Sequence, residues 1–133
     1  MDQRMTPQEI VKNSNYIKEA KVDWKEAYAA LHASIESNKY RIMRKGNTLF
    51  WYRIDRPQVA QVFIFNADTY KNLFINLQEF AQAMHKAGYK NVYAETNDFN
   101  LINLIRRIGF PVDVEELGKD KNGKQLYRGT VNV

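Results

Sequence analysis

The most apolar run in the chain is Val59-Ala60-Gln61-Val62-Phe63-Ile64-Phe65. It is short and rich in β-branched and aromatic residues, which predicts a strand at the centre of a sheet. The period then changes. Leu73, Phe74, Leu77, Phe80, Ala81 and Met84 recur at three- and four-residue spacing, so a helix is expected from Thr69 to Ala87, with Asp68 as its cap and Gly88 at its end. A second strand reads as Asn91 to Thr96. A short helix from Asp98 to Arg107 follows, with Leu101, Ile102, Ile105 and Ile108 on its inner face. Gly109-Phe110-Pro111 stops it. The two strands of this strand–helix–strand–helix unit are most simply parallel.

Upstream, Thr6-Pro7-Gln8-Glu9 has the form of a capping box with proline at the first helical position. The helix it opens is expected to reach about Ala20. Asp23 caps a second helix to about Ser37, with Trp24, Ala27, Tyr28, Leu31 and Ile35 as its inner stripe. Tyr40 to Lys45 and Thr48 to Asp55 read as strands joined by the turn Gly46-Asn47. The second strand carries apolar residues on both sides, which predicts burial on both faces. Downstream, Val112 to Leu117 and Gln125 to Val131 form a hairpin around Lys119-Asp120-Lys121-Asn122-Gly123. The fold class is therefore α/β (α+β), with a mixed central sheet flanked by helices. One domain over 1–133 is expected. Its parts are two helices (6–37), a three-strand meander (40–66), the helix–strand–helix segment (69–110) and a C-terminal hairpin (112–133).

Composition removes several classes of function. There is no run of 18 apolar residues, so no membrane span or membrane partner is expected. The N-terminus has no apolar segment of the signal-peptide kind, so a secreted protein is not expected. There is no cysteine, hence no disulfide and no thiolate chemistry. His32 and His85 lie on different helices without acids at ligand spacing, so no metal is expected. No Gly-x-Ser-x-Gly elbow surrounds any serine.

Charge is concentrated. Between Lys39 and Arg56 lie six basic residues and one acid, a net +5 that equals the charge of the whole chain. Such a hairpin can meet an anion, or can simply guard a sheet edge. Aromatic and basic residues interleave at Arg41, Phe50, Trp51, Tyr52 and Arg53. This pattern fits a nucleic-acid platform, but packing in a covered sheet explains it more simply.

The order of elements resembles the GNAT superfamily of N-acetyltransferases over about Thr6 to Val133. The segment Val92 to Phe110 carries the closest local likeness, a strand, Asn97-Asp98, an apolar helix and Gly109-Phe110. The resemblance implies a coenzyme loop before the long helix, with glycines whose N–H groups close on a pyrophosphate. Here that loop is Asn66-Ala67-Asp68-Thr69-Tyr70-Lys71, without glycine or arginine. The family's tyrosine acid falls on Ile105, which has no proton to give. By the same resemblance, coenzyme contacts would come from Phe65, Asn66, Thr69, Lys71 and Asn97. Glu95 and Asp98 would be the candidate catalytic acids.

With these losses the chain also looks similar to the acetyltransferase-like internal virion proteins of short-tailed phages. That implies a non-catalytic virion or host-interaction protein without cofactor, with protein partners in the virion or the host cytoplasm. Two alternatives stand beside it. One is an active N-acetyltransferase using acetyl-CoA. The other is a binder of nucleic acid or an acidic partner through Arg41, Arg44, Lys45 and Arg53.

Overall fold

The computed structural model describes residues 4–14 and 22–133. Elements are numbered over these residues. Helix α1 spans Pro7–Asn13 and α2 spans Trp24–Glu36. Strands β1 (Arg41–Lys45), β2 (Thr48–Arg56) and β3 (Val59–Asn66) follow. Helix α3 (Tyr70–Lys86), β4 (Asn91–Thr96), α4 (Phe99–Ile105), β5 (Val112–Lys119) and β6 (Gln125–Asn132) complete the order. The strands form one mixed sheet in the order β1-β2-β3-β4-β6-β5. β3 is thus interior, as its apolar run requires, and it pairs parallel with β4 from Val59↔Asn91 to Gln61↔Tyr93. β4 and β6 pair antiparallel, as do β6 and β5.

The chain divides into two compact units. One comprises Met1–Arg53 and Phe63–Asn76, the other Ile54–Val62 and Leu77–Val133. In the first unit, Thr6 caps α1 through the expected capping box, and Asp23 caps α2. Ile10 and Val11 of α1 and Leu31 of α2 are buried with Leu49 and Phe65 of the strands. The helix expected to reach Ala20 ends instead at Asn13. Ser14 turns extended and both its N–H and its hydroxyl donate to the Val11 carbonyl, which closes the last turn. The expected positions Ile17 and Ala20 lie outside the described residues. Leu49, Phe50 and Tyr52 of β2 are buried as predicted, but Ile54 is 54% exposed, so burial on both faces does not extend to that end of the strand.

In the second unit, Phe80, Ala81 and Met84 of α3 and Ile102, Leu104, Ile105 and Ile108 around α4 are buried with Val92 and Ala94 of β4. Gly88 and Gly109, with φ of +94° and +96°, sit just beyond the ends of α3 and α4, in a conformation that favours glycine. The β5–β6 hairpin turns at Asp120, whose carboxylate accepts from the Asn122 and Lys124 N–H groups.

Candidate functional site

The residues expected to cradle a coenzyme lie on the loop between β3 and α3, in the first unit. Asp68 does not cap α3, contrary to the sequence expectation. Thr69 does: its hydroxyl accepts from the Asn72 N–H at 3.3 Å, and its carbonyl accepts from the Leu73 N–H. The Asp68 carboxylate is occupied elsewhere. Its Oδ2 accepts from the Asn47 N–H at 2.8 Å, in the β1–β2 turn, and from Asn76 Nδ2 at 2.7 Å. The reason is that Asp68 stands one residue too early for the cap, while the tight turn at Gly46-Asn47 presents a free amide within its reach.

These bonds belong to a closed network. Asn76 Nδ2 also donates to Thr48 Oγ1 at 2.9 Å, and the Thr48 hydroxyl donates to Asn66 Oδ1 at 2.8 Å. Asn66 in turn clamps the loop: its Nδ2 donates to the Asp68 carbonyl and its Oδ1 accepts the Asp68 N–H, both at 3.0 Å. The Ala67 N–H donates to the Asn47 carbonyl. Asn47 Oδ1 accepts from the Met5 N–H and from Arg44 Nη2, while Arg44 Nε donates to the Gly46 carbonyl. Burial lowers the Arg44 pKa from its ordinary value, with Arg4 acting in the same direction and Asp68 opposing. Thr48 and Asn76 are buried. Gly46 closes the arrangement: its φ is +55°, and a Cβ there would stand 2.8 Å from Asp68 Oδ2.

Of the expected coenzyme residues in this unit, Asn66 lies in the network and Thr69 caps the helix. Phe65 is buried and stacks on Trp51 at 6.1 Å, and Lys71 is exposed. Thr48 and Asn76 are not candidate site residues in the sequence reading, and Asn47 enters it only as a turn residue. One signal was present: Asn76 sits three residues after Leu73 and four before Phe80, a polar residue on the buried stripe of α3.

The remaining candidates lie in the second unit. Asp98 caps α4, with Oδ1 accepting from the Asn100 and Leu101 N–H groups, and its own N–H donates to Thr96 Oγ1. Asn97 Nδ2 donates to Asp120 Oδ2 at 3.0 Å, ahead of the hairpin amides in holding the Asp120 carboxyl below its ordinary value. Glu95 Oε1 accepts from both Nε and Nη2 of Arg128, at 3.2 and 2.6 Å. That bond is the first cause of the raised Arg128 pKa. The Arg128 guanidinium also lies 5.2 Å from the centre of the Tyr93 ring and 3.8 Å from Glu115, and the Tyr93 hydroxyl donates to Asp55. Ile105 is 4% exposed and packed in the core. Among the described residues no group of His, Asp and Glu is arranged to hold a metal ion, and no helix is long and apolar enough to cross a membrane.

No family model and no curated protein matches this sequence. Solved structures do match the fold. A putative acetyltransferase of the GNAT family from Desulfovibrio desulfuricans superposes with a TM-score of 0.64 at 14% identity, covering 94% of this chain and 89% of that one. The ribosomal-protein-S18-alanine N-acetyltransferase of Escherichia coli gives 0.62 at 13% identity, covering 100% and 90%. A putative acetyltransferase from Salmonella typhimurium, solved with its cofactor acetyl-CoA, gives 0.57 at 16% identity over 84% and 73%. The chain therefore has the fold of the GNAT N-acetyltransferases.

Proposed function

We propose that this chain is an acetyltransferase-fold protein that no longer carries out coenzyme-dependent transfer and is used as a binding scaffold. The observation that carries this reading is the Asp68 network. A pyrophosphate at the start of α3 would need unoccupied N–H groups on a flexible, glycine-lined loop. The loop here is clamped by Asn66, its helix is capped by Thr69, and the Asp68 carboxylate beside it is bound on two sides and repels a phosphate. The residues do not fit the group. The position of the family's tyrosine acid supports the same reading, since Ile105 is buried in the core and has no proton to donate. Neither candidate acid is a ready base: Asp98 is a helix cap and Glu95 is held by Arg128.

On the likeness to phage internal virion proteins, the scaffold would meet a protein partner in a phage particle or in the host cytoplasm. A thermal-shift titration with acetyl-CoA tests the central part. A ligand that binds only the folded state raises its melting temperature. No shift is expected with millimolar coenzyme, and a clear upward shift would overturn the proposal.

A further inference from the structure

The sheet face formed by β1, β2 and β3 in the first unit bears an aromatic cluster that the scaffold reading leaves without a role. Tyr40 and Trp51 lie with ring centres 4.7 Å apart, Trp51 and Phe63 5.3 Å, and Tyr40 and Phe63 6.4 Å. Phe63 belongs to β3 and is 38% exposed. It lies two residues past the last β3 residue paired with β4, on the same side of the strand as Phe65. Ile42, paired directly with Trp51, is 37% exposed and extends the same face. Trp51 is fixed in place, with Nε1 donating to Ser34 Oγ at 2.9 Å and Phe65 stacked against it.

The stretch that carries Tyr40 and Trp51 has charge of one sign. No acidic residue occurs from Lys39 through Ile54. Lys39 precedes Tyr40, and Arg53, two residues beyond Trp51, shares its side of β2; Arg41, paired with Tyr52, lies on the other side. One exposed and two half-buried rings on a sheet face, beside a stretch that carries cations and no acid, match a ligand that offers flat π-faces along an anionic backbone. We propose that Tyr40, Trp51 and Phe63 form a stacking platform for the bases of a single-stranded nucleic acid, whose phosphates meet Lys39 and Arg53. A duplex keeps its base faces stacked on one another and is a poorer fit. The inference goes beyond the scaffold reading and does not depend on it, because its test involves no coenzyme.

The test is the binding of a labelled single-stranded oligonucleotide by fluorescence anisotropy, with Trp51 emission followed in a Trp24→Phe background. Binding near 50 mM salt, weakening steeply as salt rises, is expected, together with quenching of Trp51. Phe63→Ala should weaken binding about tenfold or more, whereas Phe63→Trp should retain it. The partial exposure of Phe63 favours a folded variant, which circular dichroism checks. The preference of the unaltered protein for single strands over duplex provides a second readout if the alanine variant does not fold. Absence of binding near 50 mM salt would overturn the proposal. So would equal affinity for duplex, or inorganic polyphosphate displacing the oligonucleotide with no loss on Phe63→Ala, since each would leave only charge attraction.

Discussion

Asn76 Nδ2 lies 2.7 Å from Asp68 Oδ2 and 2.9 Å from Thr48 Oγ1, so one buried amide ties α3 to the loop before it and to the start of β2. A buried polar group left without its partner costs far more than an exposed one. Asn76→Ala removes the donor from both oxygens and should lower stability by about 2–3 kcal/mol in urea denaturation. Because Thr48 belongs to the same network, the effects of Thr48→Val and Asn76→Ala should be non-additive by at least about 0.5 kcal/mol in a double-mutant cycle. Simple additivity would mean that the network does not act as a unit.

Gly46 is where the turn and the network meet. Its φ of +55° is strained for a residue with a side chain, and a Cβ would press on the carboxylate of Asp68. Gly46→Ala should therefore destabilise the fold by roughly 1–3 kcal/mol. Gly88, which has the same sign of φ but open space around it, should tolerate alanine better. Equal losses at the two sites would show that only the backbone angle matters.

The frame of the fold was legible in the sequence because its signals are local. The period change after Phe65, the glycines at 88 and 109, and the Asn122-Gly123 turn each act within a few residues. The network was not legible. It joins Asn47, Thr48, Asn66, Asp68 and Asn76, and these pairings form only when β2, β3 and α3 come together. The misassigned cap has the same origin. Asp68 is a good capping residue by type, but a partner 21 residues away in the chain claims its carboxylate, and Thr69, next in line, takes the cap. Glu95 likewise reads as a free acid until β6 places Arg128 opposite it.

The Asp120 turn gives a pH dependence of known sign. Its carboxyl titrates below the ordinary value of 3.8, first because of Asn97 and then because of the Lys124 N–H. A depressed acid contributes stability that is complete above its unfolded pKa and lost as the pH falls through its folded pKa. Amide exchange at Asn122 and Lys124, corrected for the intrinsic acid dependence, should speed up as the pH falls below 3.8. Asp120→Asn should remove that pH dependence. If it persisted unchanged in the variant, Asp120 would not be its source.

On the proposed reading, a tyrosine at position 105 should not give acetyl transfer. Ile105→Tyr supplies a phenol where the family resemblance would place one, but at a position only 4% exposed. Overpacking of this kind costs about 1–3 kcal/mol. The variant should be less stable and should show no transfer of acetyl groups to amines above background. Measurable turnover would place an intact coenzyme site beside residue 105.

Isothermal calorimetry with acetyl-CoA tests most directly our proposal that the clamped loop at Asn66 to Thr69 does not take a coenzyme. No heat of binding is expected at millimolar coenzyme, for this chain and for Asp68→Asn alike, since Asn66 and Thr69 still close the loop. A saturable isotherm with a micromolar Kd would contradict it.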